Sequence, residues 1–149
     1  MKPICIRRRG ANSASTFTHT CIHVHSCLSL PSNILKYASI GTPKPRPEHK
    51  PSSNGCGANG IALEVDIDTR SCCDAHDMCY DTCQKSKLDC DNEFQTCLRQ
   101  VCKVKASDSE LLEECNNRNQ LMVVGATAFG CKAYLDAQKN ACMCTHEDL

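Results

Sequence analysis

The chain has 149 residues, which suits one domain with a short appendage, and it contains no Trp and only three residues each of Phe and Tyr. Its 15 cysteines must supply stability that aromatic burial does not, and this density predicts disulfides and a secreted, extracellular protein rather than an intracellular metal protein. The net charge is zero, but residues 51–149 carry nine basic and 16 acidic side chains; their net charge of −7 argues against nucleic-acid binding and predicts only weak attraction to anionic membranes.

Residues 1–41 form an N-terminal segment whose composition differs from that of the rest of the chain. The segment is rich in Arg and Ser and contains no acidic residue. Its apolar stretch around residues 27–30 is too broken for the apolar run of a secretory signal peptide. We therefore predict a disordered segment without a convincing signal peptide.

Proline and then glycine mark the next two stretches. Pro at positions 43, 45, 47 and 51 predicts an extended linker over residues 42–53, so that a domain follows over residues 54–149. At the start of that domain, residues 54–60 read Asn-Gly-Cys-Gly-Ala-Asn-Gly, and such a run permits positive φ angles. The loop can turn several carbonyl oxygens toward one hard cation; an ordinary turn before a short strand is the alternative.

A first helix is predicted from Cys72 to about Gln84, with Ser71 as its N-cap. Adjacent residues of a helix lie about 100° apart around its axis, so His76 and Asp77 can border one cleft. Cysteines on either side of these two residues would fix the helix in place. This part of the chain is the strongest candidate for a functional site.

A second helix is predicted from Cys90 to about Lys105, with a buried apolar stripe. Two cysteines are seven residues apart on each helix, Cys72 and Cys79 on the first, Cys90 and Cys97 on the second. Two antiparallel helices with equal intervals can be joined by two disulfide rungs, Cys72–Cys97 and Cys79–Cys90, although the spacing does not prove this connectivity.

This register brings Asp91 on the second helix toward His76 on the first. A histidine backed by a carboxylate is a general base, and the cysteines near it are better used in bridges, so water is the expected nucleophile. Asp77 faces the loop around Gly57 and supplies a carboxylate for Ca²⁺, with loop carbonyls as further ligands. The expected chemistry is calcium-dependent ester hydrolysis.

The remainder of the chain is predicted to be helical. Residues 107–110 fit a capping box that opens a third helix, the apolar residues 121–129 are predicted to pack in the core, and residues 131–144 form a short helix that ends in disulfides. We expect the protein to be a monomer. Residues 56–144 contain 12 cysteines and residues 1–50 contain three, so at least one thiol of a monomer is unpaired.

The pattern Cys-Cys-x-x-His-Asp-x-Cys-Tyr over residues 72–80, followed by Cys90-Asp91 and Cys97, resembles the active-site helices of the secreted phospholipases A2. Residues 51–57, 81–87, 92–98 and 130–136 are similar to the group XII branch in particular, and the resemblance covers about residues 42–149.

The resemblance implies a mainly α, disulfide-rich fold, in which two antiparallel active-site helices are cross-linked by disulfides and accompanied by a calcium loop and short further helices. It implies hydrolysis of the sn-2 ester of glycerophospholipids at a membrane or micelle surface. It also implies roles for individual residues: His76 as base, Asp91 as its orienting carboxylate, Tyr80 as support for that carboxylate, Asp77 as calcium ligand, and the carbonyls of Gly55, Gly57 and Asn59 as the remaining protein ligands, with the Gly57 N–H toward the oxyanion. Cys56–Cys73 is a third candidate disulfide.

The sequence departs from the family pattern at Asn59, where the usual loop has glycine. Two other readings remain open. One is a weakly active or inactive protein on the same scaffold that binds a lipid or a receptor, which the retained His76 disfavours. The other is a zinc protein that uses Cys72, Cys73, His76 and Cys79, although four ligands on one helix cannot surround a tetrahedral ion without unwinding it.

Overall fold

The fold of the chain, given by a computed structural model, is dominated by helices. The structure describes residues 4–8, 18–22, 40–58, 61–62 and 65–144. In this part of the chain there are four helices: α1 (Ile67–Tyr80), α2 (Lys87–Lys105), α3 (Ser109–Phe129) and α4 (Cys131–Ala141). The predicted mainly α, disulfide-rich fold is confirmed. No helix among the described residues is long and apolar enough to cross a membrane.

Short antiparallel strands accompany the helices. A three-stranded sheet in the order β2-β1-β3 consists of β1 (Ile4–Arg8), β2 (Thr18–Ile22) and β3 (Ile40–Gly41). Two further pairs join β5 (Gly57–Ala58) to β6 (Ile61–Ala62) and β4 (Lys44–Pro45) to β7 (Cys142–Met143).

The three-stranded sheet differs from the disorder predicted for residues 1–41. Ile and Thr recur through β1 and β2, and such β-branched residues favour paired strands. The prediction rested on charge composition, which does not register this local preference. The other residues of the segment lie outside the described part of the chain.

Residues 42–53, predicted to be an extended linker before the domain, pack onto the helical domain, and we call them the strap. β4 of the strap pairs with β7, and the Arg46 N–H donates to the carbonyl of Ala141 at 2.9 Å. The backbone N–H and the hydroxyl of Ser52 donate to Asp81 at 3.0 and 3.1 Å. The strap makes one turn, in which the His49 N–H donates to the carbonyl of Arg46 at 3.2 Å. Several of its other backbone groups find partners on the domain, so the domain begins near residue 42.

Helix α1 starts five residues before its predicted start. Asp66 is its N-cap and accepts from two backbone N–H groups of the first turn. Ser71, the predicted cap, lies inside the helix, where its hydroxyl donates to the carbonyl of Asp68 at 2.6 Å. The helix ends at Tyr80, with Asp81 as its C-cap, instead of near Gln84. Gln84 itself has a φ of 71°, outside the helical region.

Helices α2 and α3 also begin at side-chain caps. Ser86 accepts from the N–H of Asp89 and starts α2 three residues before the predicted Cys90. Asp108, within the predicted capping box, accepts from the N–H of Leu111 and starts α3, a single helix of 21 residues.

Disulfides connect the helices to one another and to the loops. Both predicted rungs between α1 and α2 are present, as is the third candidate pair, and two further bridges join other parts of the fold: Cys72–Cys97, Cys79–Cys90, Cys56–Cys73, Cys83–Cys142 and Cys102–Cys115. Cys131 and Cys144 are also disulfide-bonded. Because the three cysteines proposed as zinc ligands all lie in bridges, the zinc reading is wrong.

Half-cystines make up much of the core. One buried cluster combines them with Phe94 and Leu98, and a second combines Cys79 and Cys90 with Tyr80 and Tyr134. Both clusters lie around α1 and α2, so the core itself fixes the two helices that carry the candidate site.

The C-terminal part of α3 is buried on one face only. Met122, Val123 and Ala126 pack against the core, but Leu121 is 74% exposed and Phe129 is 80% exposed. The prediction of core packing for residues 121–129 is wrong for the outer face. A helix on a domain surface buries one side only, and an apolar run of this length covers both sides.

Candidate active site

The centre of the candidate site is a contact between α1 and α2. His76 Nε2 lies 2.9 Å from Asp91 Oδ1, and both side chains are more than nine-tenths buried. Cys79 and Cys90 are close in sequence to this pair, and their bridge ties the two helices together at the same level. The disulfide register thus places the carboxylate at the histidine.

Aromatic rings hold the imidazole of His76 on two sides. The ring of Phe94 stacks on it with centroids 4.6 Å apart, and the ring of Tyr80 lies tilted at 4.2 Å. Since Asp91 accepts at Nε2, the neutral imidazole carries its proton on Nε2 and a lone pair on Nδ1. Among the described residues, Nδ1 has no hydrogen-bond partner. The geometry leaves one basic nitrogen for a water or a substrate.

Asp91 receives three side-chain hydrogen bonds. Besides His76, the hydroxyl of Tyr80 donates to Oδ1 at 2.6 Å, and Lys87 Nζ donates to Oδ2 at 2.7 Å. Burial disfavours the charged form of Asp91, but the bonds from His76, Lys87 and Tyr80 outweigh it and hold its pKa below the usual range. Burial and the Asp91 carboxylate both raise the pKa of Tyr80, which stays a hydroxyl donor. Asp91 is therefore a fixed, charged acceptor.

The loop before α1 lies against Asp77. Asp77 Oδ2 accepts from the backbone N–H of Asn54 at 3.0 Å and also interacts with the backbone of Gly55. Gly55 has a φ of 86° and Gly57 a φ of 139°, conformations that L side chains rarely adopt. Burial raises the pKa of Asp77. Asn59, the fourth predicted ligand, lies outside the described residues.

A carboxylate beside a glycine-rich loop is an oxygen donor set of the kind that Ca²⁺ uses. Among the described residues no group of three or more His, Cys, Asp or Glu side chains could hold a metal. A site here would therefore depend on backbone carbonyls of the loop together with Asp77. Asp77 supplies a carboxylate oxygen of the kind that such an ion prefers.

Two buried polar residues of the site escaped prediction from the sequence. Lys87 precedes Asp91 by four residues on α2, a spacing that could have indicated the ion pair once the helix start was known. Gln138 on α4 is fully buried and donates to the carbonyls of Tyr80 and Thr82 at 2.6 and 2.7 Å. Gln138 thus provides hydrogen-bond donors for carbonyls at and just after the end of α1, but no local sequence pattern indicates this role.

Gly130 packs closely against the hydroxyl of Tyr80. A Cβ at Gly130 would lie 2.9 Å from the Tyr80 hydroxyl oxygen and closer still to the carbonyl of Ala126. Both the hydroxyl, which binds Asp91, and the Ala126 carbonyl would have to move, so we expect Gly130→Ala to lower the activity of the site roughly tenfold or more. The measurement is the rate of ester hydrolysis by the variant and by the parent.

Gly125 on α3 provides the matched control for this substitution. A Cβ there meets nothing within 4 Å, so Gly125→Ala should keep full activity and gain about 0.5–1 kcal/mol of helix stability. Equal activities of the two variants would show that the Tyr80 hydroxyl is not held by Gly130.

Fold and site together define a class: a small, disulfide-rich helical protein with a buried His–Asp pair and a glycine loop beside it. Residues 32–149 match the family profile of the "Group XII secretory phospholipase A2 precursor". The chain is 42% identical over 150 residues to the group XIIA secretory phospholipase A2 of Homo sapiens, a match that covers 95% of this chain and 78% of that protein. It is 42% identical over 113 residues to the protein of the same name from Mus musculus, covering 71% of this chain and 59% of the relative.

A third relative is the "Group XIIB secretory phospholipase A2-like protein" of Mus musculus, 29% identical over 118 residues, 71% of this chain and 60% of that protein. The chain thus spans about three fifths of the length of both mouse relatives. No solved structure matches the chain. The chain belongs to the group XII secretory phospholipase A2 family, which confirms the resemblance.

Proposed function

We propose that the chain hydrolyses the sn-2 ester of glycerophospholipids in a calcium-dependent reaction outside the cell. The observation that carries the proposal is the His76–Asp91 pair, in which Nε2 is bound to a charged carboxylate and Nδ1 has no partner among the described residues. The secretory names of the relatives and the disulfides support an extracellular location.

His76 would activate the water that attacks the ester. Its Nδ1 takes a proton from water as the oxygen attacks the carbonyl carbon, and the Asp91 carboxylate stabilises the imidazolium that forms. When the carbon–oxygen bond to glycerol breaks, Nδ1 returns the proton to the departing oxygen. The products are a fatty acid and a lysophospholipid. Burial of the pair excludes bulk water that would weaken the interaction between Asp91 and the charged ring.

Asp77 and the carbonyls of Gly55, Gly57 and Asn59 would hold calcium. When bound, Ca²⁺ would polarise the ester carbonyl and stabilise negative charge on its oxygen. Half-burial of Asp77 and the positive φ of the two glycines support this assignment. The carboxylate of Asp77 remains charged most readily when a cation offsets its burial.

Phospholipid surfaces are the proposed partner, bound weakly. Leu121, Val124 and Phe129 expose apolar side chains on α3 and favour adsorption, whereas the acidic balance of residues 51–149 opposes it on anionic membranes.

The proposal is tested with phosphatidylcholine vesicles that carry a labelled sn-2 acyl chain. We expect release of the labelled fatty acid with Ca²⁺ and loss of that release with a chelator, while sedimentation of the vesicles gives the bound fraction of protein. Asp77→Asn should abolish the response to Ca²⁺. Asp74→Asn, which removes an equal charge from the same helix, should keep it. Label release that is equal with and without Ca²⁺, or absent in both, would rule out the proposed function.

A further inference from the structure

Lys87 is a buried lysine at the back of the catalytic pair. It is 3% exposed, and lysine is almost never this buried without partners, because burial of an unpaired ammonium is very costly. Its Nζ lies 2.7 Å from Asp91 Oδ2, 2.9 Å from the carbonyl oxygen of Ala126 and 3.3 Å from that of Thr127. Three acceptors thus match the three N–H groups of the ammonium.

The two oxygens of Asp91 have different partners. Oδ1 accepts from His76 and Tyr80, whereas Oδ2 accepts from Lys87. Contacts on both oxygens prevent the carboxylate from rotating about its Cβ–Cγ bond. If Lys87 were removed, Oδ2 would be a buried acceptor without this partner, and reorientation of the carboxylate to satisfy it would weaken the bond to His76.

The other two contacts of Lys87 are made with the last turn of α3. The Ala126 carbonyl also accepts from the N–H of Gly130 at 2.9 Å, so Lys87 is its second donor. The last turn of a helix carries the negative end of the helix dipole, so a cation is favourable there. Lys87 therefore joins three elements: its own helix α2, the end of α3 and, through Asp91, the imidazole on α1. These contacts bridge 39 and 40 residues of sequence.

We propose that Lys87 is a positioning residue for the hydrolysis, which holds the Asp91 carboxylate in the orientation that binds His76 Nε2–H and anchors that carboxylate to α3. The proposal rests on the proposed function for its kinetic part. The orientation of His76 can be measured whether or not the protein is an active hydrolase.

The test compares Lys87→Met, which keeps an unbranched side chain one atom shorter but removes its charge and donors, with Lys87→Arg and with Lys85→Met. Lys85 is the matched control, because its ion pair with Glu93 lies on the surface at 47% and 61% exposure. For each variant we would measure kcat and KM on vesicles, thermal unfolding, and the proton resonance of the His76 Nε2–H by NMR.

Lys87→Met is expected to lower kcat roughly ten- to hundredfold with little change in KM, since the substrate is not touched. The Nε2–H resonance should shift or broaden through exchange with water. Lys87→Arg, which keeps the charge with a different donor geometry, should fall between Lys87→Met and the parent in both measurements. Lys85→Met should match the parent.

A folded Lys87→Met protein with the parent kcat and the parent Nε2–H resonance would overturn the proposal. If Lys87→Met does not fold, Lys87→Arg is used instead, because its charge still pairs with the buried acceptors. A folded Lys87→Arg protein with the parent kcat and the parent Nε2–H resonance would then overturn the proposal. Inactivity of the parent with a resonance that still changes in the Lys87 variants would contradict the hydrolase function but support the positioning role.

Discussion

Replacement of His76 by glutamine is expected to lower phospholipid hydrolysis by about 10²- to 10⁴-fold, the usual contribution of a general base. Glutamine has a similar volume and keeps an N–H that can donate to Asp91. It has no basic nitrogen at the position of Nδ1, so water would attack without losing its proton. The hydrolysis rate on labelled vesicles, with the fold checked by circular dichroism, is the measurement.

The same substitution at His49 is the control. His49 lies in the strap, where its Nε2 is 3.0 Å from Asp81 Oδ1, away from the catalytic pair. His49→Gln should keep the parent rate. A folded His76→Gln protein with more than a tenth of the parent rate would exclude His76 as the base.

Asp91→Asn distinguishes the charge of the carboxylate from its position. Asparagine can still accept from Nε2–H, but it carries no charge to stabilise an imidazolium, and its amide group would face the Lys87 ammonium. Because the imidazolium would lose this stabilisation, we expect Asp91→Asn to lower the hydrolysis rate strongly as well.

The part of the site that the sequence predicted depends on short, regular spacings. The two seven-residue cysteine intervals imply the rungs between α1 and α2, and the rungs imply that Asp91 reaches His76. Helical periodicity and disulfide geometry are both rigid constraints, so one spacing fixes the other. The positions of the helix starts do not matter for this inference, which is why it survived errors of three and five residues.

Contacts between distant parts of the chain have no regular spacing in the sequence that would predict them. Gln138 reaches the carbonyl of Tyr80 across 58 residues, and Lys87 reaches the end of α3 across 39. Each is a polar residue on a helix, a pattern that ordinarily indicates a solvated face. The strap was misjudged for a related reason: proline predicts an extended backbone but not whether the backbone pairs with another element.

The bridge Cys79–Cys90 is expected to matter more for activity than for stability, and Cys83–Cys142 the reverse. The first closes a loop of 11 residues and the second a loop of 59, so their removal should lower the free energy of unfolding by about 3 and about 4 kcal/mol on a chain-entropy estimate. The first, however, lies level with the His76–Asp91 contact. The second ties the turn after α1 to the end of α4.

Pairwise replacement by alanine removes each bridge without leaving a free thiol. In Cys79→Ala/Cys90→Ala the two helices can shift at the level of the pair, and a displacement of about 1 Å there lowers catalysis by up to about 10²-fold. In Cys83→Ala/Cys142→Ala the pair keeps its own rung, so hydrolysis at 25 °C should change by less than about threefold even though denaturant unfolding shows the greater loss of stability. Activity losses that follow the stability losses in both variants would mean that the disulfides act only on the unfolded chain, and that the register of α1 and α2 is held by their packing alone.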